Sequence, residues 1–290
     1  MRSLLFVPAD GGKKFDKAMA SGADALIVDL EDSIAPERKA AARAPALAFL
    51  QEAGQANNRP RLIVRINGLD TGLADADLDA IVPGQPDAIL LPKAEGGASI
   101  AHLDAKLTAR EALHGLAEGS IAILALTTET AKALFLAGSY GGVSKRLKGL
   151  TWGAEDLSAE LGAEANRDHD GHWLDPYRLA RSLCLASAAA AQVPALDTVY
   201  VDYRNDAGLR RECEDARRDG FTGKLAIHPG QVATINAVFT PGQQEIARAE
   251  TIVAAFAAQP GAGTVGIDGK MYDRPHLARA QRLLESVKRV

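Results

Sequence analysis

Cysteines, aromatic side chains and long apolar runs are all scarce in this chain, and each scarcity removes a class of protein. The two cysteines, Cys184 and Cys213, stand in helix-like stretches without metal-type spacing. Neither a disulfide framework nor a cysteine metal site is expected, and both read as buried or half-buried thiols. No apolar stretch approaches the ~20 residues of a membrane-spanning helix, and MRSLLFVPADGG reaches Pro8 too soon for a signal peptide. The expected place is the cytoplasm, with no membrane partner. Cationic excess is also missing. A formal charge of −4 offers no broad face for nucleic acid or anionic lipid, so any phosphate must be met by a few local Lys and Arg residues. A glycine-rich nucleotide fingerprint is lacking after the first strand, where only Gly11-Gly12 occurs. Aromatics make up 5% of residues against 47% hydrophobic, so Ala, Leu, Val and Ile fill the core, as in buried parallel strands under Ala-rich helices.

What is present is a repeat of short apolar runs and longer helical patterns. SLLFV (3–7), ALIVDL (25–30), RLIVRI (61–66), DAILL (87–91), IAILAL (121–126), LKGLTW (147–152), DTVYVD (197–202) and KLAIHP (224–229) each read as a buried strand. Residues 13–21, 37–53, 99–115, 129–138, 177–192 and 206–219 read as intervening helices. Strand then helix, about eight times in 290 residues, predicts one α/β domain, a TIM-type (β/α)₈ barrel over residues 1–240. From 241 to 290 the repeat stops. A helix over 243–258, the glycine-rich QPGAGTVGIDGK (259–270) and a helix opening near Pro275 read as a C-terminal helical lid on a mobile connection.

Active sites of such barrels lie at the carboxyl ends of the strands. Those positions carry Pro8 and Asp10, then Asp29, Glu31 and Asp32, then Arg65 and Asn67, Lys93, Glu129, Glu155 and Asp156, Asp202 and Arg204, and His228. Glu129 in TTETA and Asp156 in GAEDL each open a helix after a strand; together they suit Mg²⁺, which takes one or two protein carboxylates and keeps several waters. Acidic residues in a first helical turn also favour the helix dipole, which is the alternative for both. Arg65 suits a bidentate carboxylate grip, or an ion pair with Asp29 or Glu31. Lys93 is read as a substrate contact or an ion-pair partner; a Schiff base is disfavoured because neighbouring carboxylates hold the ammonium charged. His228 is an acid, a base or a structural histidine. His169, Asp170 and His172 read as a solvated loop, and Lys145, Arg146 and Lys148 as a surface face.

The motifs RSLLFVPA, DALIVDLEDSI, RING, LLPKAEG, TTETA, TWGAEDL, GKLAIHPGQ and DGKMYDRPH, in this order and over essentially the whole chain, resemble the citrate lyase β-subunit family of HpcH/HpaI-type aldolases, which includes stand-alone malyl-CoA and citramalyl-CoA lyases. The resemblance implies that Glu129 and Asp156 bind Mg²⁺ and that Arg65 holds the carboxylate of the 2-oxoacid half. It implies that Lys13 and Lys17 meet the phosphates of coenzyme A, with Phe6, at a position that is aromatic in some relatives, on the cofactor side. It also implies that Asp273 is a catalytic acid/base delivered by the C-terminal segment, often to a neighbouring subunit. The residues alone read Asp273 as the N-terminal cap before Arg274-Pro275. The expected activity is Mg²⁺-dependent carbon–carbon cleavage of a 3-hydroxyacyl-CoA thioester into acetyl-CoA and a 2-oxoacid, by a homo-oligomer, trimer or hexamer. The alternatives are a citrate lyase β subunit working on an acyl-carrier-protein thioester, a CoA-independent 4-hydroxy-2-oxoacid aldolase, and a malyl-CoA thioesterase.

Overall fold

The computed structural model describes residues 1–287. The chain divides into two compact units, residues 1–236 and 237–290.

The first unit is a (β/α)₈ barrel. Its strands are β1 (Ser3–Pro8), β2 (Ala25–Asp29), β3 (Arg61–Arg65), β4 (Ala88–Leu91), β5 (Ala122–Leu126), β6 (Leu147–Thr151), β7 (Leu196–Asp197) and β8 (Gly223–Ala226). All pair in parallel, in the order β6-β5-β4-β3-β2-β1-β8-β7. A parallel bridge between Leu150 and Ala195, with the Leu150 amide donating to Pro194 O at 3.0 Å, closes the ring. Helices α1 (Lys13–Met19), α2 (Lys39–Gly54), α3 (Ala74–Ile81), α4 (Gly97–Leu113), α5 (Ala131–Leu136), α6 (Glu155–Leu161), α7 (Asp175–Ala191) and α8 (Asp206–Asp219) follow the strands, then α9 (Val232–Phe239).

Because strand side chains alternate in direction, one set points inward. Leu4, Ala25, Ile27, Ile63, Ala88, Leu90, Leu124, Leu126, Leu196 and Leu225 form a single buried cluster, with Phe6 and Val199 packed on it. The same parity carries Asp29 and Arg65 inward at the last rung of β2 and β3, where register sets them side by side.

Several expectations change. The acidic segment ADADLDAI is α3, whose Ala74, Leu78 and Ile81 are buried at helical spacing. β7 is much shorter than DTVYVD implies: it pairs with β8 at Leu196 and Asp197, and Val201 and Tyr203 stand exposed on the rim. Arg146 is a correction to the surface-face reading of Lys145, Arg146 and Lys148. Both lysines are exposed, but Arg146 is buried. Its guanidinium donates to Glu111 Oε1 and Oε2 at 2.7 and 2.6 Å, to Asp104 Oδ1 at 2.5 Å and to Thr108 Oγ1 at 2.8 Å.

The second unit contains α10 (Gln243–Ala257), the antiparallel hairpin β9 (Thr264–Ile267) and β10 (Lys270–Asp273), and α11 (Arg274–Val287). Ala249, Ile252, Phe256, Val265 and Ala280 make its own small core. Residues 264–270 of the glycine-rich stretch lie in this hairpin. Its turn residues Asp268 and Gly269 have φ of 50° and 72°, as the Asp-Gly two-residue turn demands. No helix among the described residues is long and apolar enough to cross a membrane.

Candidate active site

Five carboxylates and two cations converge on the carboxyl ends of β2 to β6. Asp29 anchors the group. Its oxygens accept from Arg65 Nε and Nη2, both at 2.7 Å, and from the backbone amides of Glu31 at 2.9 Å and Ser33 at 3.1 Å. Burial works to raise the Asp29 pKa, but the hydrogen bonds and charge of Arg65 overcome it and hold this carboxyl below its ordinary value. Arg65 Nη1 lies 3.0 Å from Glu31 Oε2, without hydrogen-bond alignment, and 3.3 Å from Asp32 Oδ2. The Phe6 ring packs under the guanidinium, 4.8 Å from Cζ. The ion pair foreseen for Arg65 is thus made, and Phe6 meets Arg65.

Lys93 links this group to the two carboxylates expected to hold a metal. Its ammonium donates to Glu31 Oε1 at 2.6 Å and sits 3.2 Å from Asp156 Oδ1, while its backbone amide donates to Glu129 Oε2 at 2.6 Å. To make these contacts Lys93 adopts a left-handed conformation, φ 49°, which is strained for a residue with a Cβ and is tolerated where surrounding contacts compel it. Burial lowers the Lys93 pKa, yet the hydrogen bond and charge of Glu31, with the charges of Asp156 and Glu129, raise it overall. The ammonium stays charged, which disfavours a Schiff-base nucleophile.

Glu129 is the outlier. Its side chain is buried and, among the described residues, accepts a hydrogen bond only from the Lys93 amide. Burial first, and the negative charge of Asp156 second, raise its pKa to about 8. Gly153 makes room for it: a Cβ there would lie 2.8 Å from Glu129 Cγ and Oε1. Burial likewise raises Glu31, outweighing Arg65 and Lys93. The hydroxyls of Thr128 and Thr151, at the ends of β5 and β6, are buried without a hydrogen-bond partner among the described residues. Excess carboxylate, orphaned hydroxyl oxygens and an under-bonded buried Glu129 fit a hard divalent cation among oxygen donors.

The other expected residues stand on other elements. Lys13 and Lys17 are exposed one turn apart on α1. Asp273 caps α11, its Oδ1 accepting from the His276 amide at 3.4 Å and bonding His276 Nδ1. His228 caps a one-turn helix at Pro229–Gln231, its Nδ1 accepting from the Gly230 amide. Asp168, Asp170 and His172 cluster in an exposed loop, where Asp168 accepts from the amides of Asp170 and His172. His169 is also exposed, consistent with a solvated loop. Sequence reasoning missed Gly153 and the left-handed backbone of Lys93, though not Lys93 itself; the former had a visible signal, a glycine three residues before Asp156 in TWGAEDL.

A barrel with this rim of acids and bases defines a TIM-barrel enzyme of the carbon–carbon lyase class. The chain belongs to the HpcH/HpaI aldolase/citrate lyase family, whose pattern matches residues 2–229, and residues 178–289 match the carbon–carbon bond lyases of the TIM-barrel fold. It is 34% identical to the citrate lyase subunit beta of Leuconostoc mesenteroides subsp. cremoris, over 98% of this chain and 92% of that one. It is 36% identical to the (3S)-malyl-CoA thioesterase of Cereibacter sphaeroides, over 98% and 93%. The crystal structure of CitE from Mycobacterium tuberculosis in complex with magnesium, acetoacetate and coenzyme A superposes with a TM-score of 0.78 at 32% identity, covering 99% of this chain and 98% of that one.

Proposed function

We propose that the chain is a magnesium-dependent lyase that splits a short 3-hydroxyacyl-CoA thioester, of the malyl-, citramalyl- or citryl-CoA type, into acetyl-CoA and a 2-oxoacid. The observation that carries this reading is the buried, under-bonded Glu129 carboxylate beside Asp156, since a buried carboxylate without a cation is costly. Glu129 and Asp156 would hold the magnesium ion, which would supply Lewis-acid polarisation of the oxygen that becomes the oxoacid carbonyl. The chain's own residues do the rest. Arg65, fixed along its Nε–Nη2 edge by Asp29, turns Nη1 toward the substrate carboxylate, which displaces Asp32, the most exposed and most distant of its partners. Lys93 keeps Asp156 and Glu31 in place and adds positive charge where negative charge develops.

Cleavage removes the 3-hydroxyl proton and breaks the bond between C2 and C3. The electron pair passes to the thioester as an enolate, and a proton added at C2 gives acetyl-CoA. Asp273 is assigned the proton steps; the hydrogen bond from His276 holds its carboxyl below the ordinary value, so it rests as the base. Lys13 and Lys17 are assigned to the cofactor phosphates.

The test is a panel of malyl-, citramalyl- and citryl-CoA assayed with Mg²⁺ and with EDTA. Acetyl-CoA released only with Mg²⁺ is expected; turnover of free 4-hydroxy-2-oxoacids with no effect of thioesters would refute the reading. The thioesterase relative motivates a second outcome from the same site, free CoA and malate in place of acetyl-CoA and glyoxylate. Docking of an acidic carrier protein is weakened by the burial of Arg146, which leaves only Lys145 and Lys148 of the expected basic face exposed. A homo-oligomer and a cytoplasmic place remain part of this proposal.

A further inference from the structure

We infer that Lys39 is a positioning residue for the Glu129 and Asp156 pair, acting through Glu31 and Lys93; the inference rests on the magnesium reading above. Lys39 opens α2. Its ammonium donates to Leu30 O at 3.3 Å, Glu31 O at 2.9 Å and Asn67 Oδ1 at 2.7 Å. An ammonium has three protons to give, and here all three go to uncharged oxygens. Lys39 therefore does not neutralise a carboxylate of the acidic rim. It gathers two successive peptide carbonyls that follow β2 and one side-chain amide that follows β3.

This tripod is itself braced. Asn67 Nδ2 donates to Leu30 O at 3.1 Å and to Asp77 Oδ2 at 2.7 Å, and the Asn67 backbone amide donates to the same Asp77 oxygen at 2.9 Å. Asp77, fully buried on α3, accepts at its other oxygen from Arg43 Nε at 2.8 Å. Lys39 and Arg43 lie four residues apart on α2, on one face of the helix. Charge-assisted hydrogen bonds of this kind are stronger than neutral ones, so α2, α3 and the two loops are tied into one block.

What the block holds is Glu31. Its carbonyl is fixed by Lys39, and its amide by Asp29 Oδ1 at 2.9 Å. With both backbone groups held, the carboxylate is set between Lys93 Nζ at 2.6 Å and Arg65 Nη1 at 3.0 Å. Among the described residues Lys93 pairs with two carboxylates, Glu31 at 2.6 Å and Asp156 at 3.2 Å. A displaced Glu31 would leave the ammonium to Asp156 alone, where it competes with a cation for the same oxygens. Lys39 thus sets, two contacts away, how far Asp156 is free for a metal.

The experiment is a double-mutant cycle on the full chain, with Mg²⁺ affinity read by calorimetry and folding by urea unfolding. Lys39→Met keeps the aliphatic stem and removes the ammonium. It is expected to weaken Mg²⁺ binding about tenfold, as for groups that orient metal ligands from outside. In a Glu31→Gln background the same substitution should change Mg²⁺ affinity by less than about twofold, because the link it acts through is already cut. If Lys39→Met fails to fold, Lys39→Gln carries the same cycle, with a loss of about threefold that Glu31→Gln again abolishes. Unchanged affinity in the Lys39 variant would overturn the inference. So would equal weakening in both backgrounds, which would make Lys39 a general brace of the barrel. The two readings fail separately. A protein that shows the expected cycle but releases no acetyl-CoA from the panel refutes the lyase reading alone. One that cleaves the panel only with Mg²⁺, while its Lys39 variants bind the ion normally, refutes this inference alone. A wild type that binds no Mg²⁺ refutes both.

Discussion

Two groups of buried charge in the barrel look alike in composition and differ in how completely they are satisfied. Outside the β-ring, Lys224 donates to Asp197 at 2.7 Å and Glu212 at 2.8 Å, and Asp197 also accepts from Trp152 Nε1 at 2.8 Å. Arg146 with Glu111 and Asp104 is closed in the same way, and Glu111 further accepts from the Gly119 and Ile121 amides, both at 2.9 Å. In the mouth, among the described residues, five carboxylates share Arg65 and Lys93, Glu129 has one donor, and two threonine hydroxyls have none. A saturated network holds structure together. An unsaturated one of the same residue types is what a site for a cation and a substrate, as proposed above, would require.

Removing one partner from each group should separate these roles. Arg146→Ala strands Glu111 as an uncompensated buried charge, so urea unfolding should show a loss of about 3–5 kcal/mol, with Mg²⁺ affinity measured by calorimetry unchanged. A loss under 1 kcal/mol would erase the contrast. Glu129→Gln should instead lower kcat by about 10²–10³-fold without lowering stability. Its pH signature has a definite sign. The folded pKa, about 8, lies above the ordinary 4.5, so in EDTA the wild type is favoured below pH 4.5 and loses that contribution as pH rises toward 8. Urea midpoints of the variant should lack this decline, and Mg²⁺ should counter it in the wild type. The gentlest change is Gly153→Ala, whose Cβ would sit 2.8 Å from Glu129. It should weaken Mg²⁺ binding by about 10–100-fold with little effect on Tm; normal affinity would mean that Glu129 can move aside freely.

Much of this was legible in the residues. The eight apolar runs are nearly the eight strands, because a strand buried on both faces must be apolar throughout. DTVYVD misled because Val and Tyr on an exposed rim have the same composition as a buried strand. Glu129, Asp156, Arg65 and Lys93 were found by position at strand ends, and the fold brings them together, with Lys93 touching Glu129 and Asp156 and sharing Glu31 with Arg65. Arg146 was misread because a basic run looks solvated until Glu111 and Asp104, distant in sequence, are seen to close on it. ADADLDAI hid a helix since three aspartates mask the Ala74–Leu78–Ile81 stripe.

Periodicity and strand-end chemistry, which act over a few neighbouring residues, were enough to specify a barrel and the side chains at its open end. Which of those side chains are satisfied and which are left wanting depended on segments far apart in the chain meeting at 3 Å. Charge is paired or orphaned only by what the fold sets beside it: Gly153 against Glu129, Asp29 in register with Arg65, and Lys93 bent into an unfavourable φ to join them.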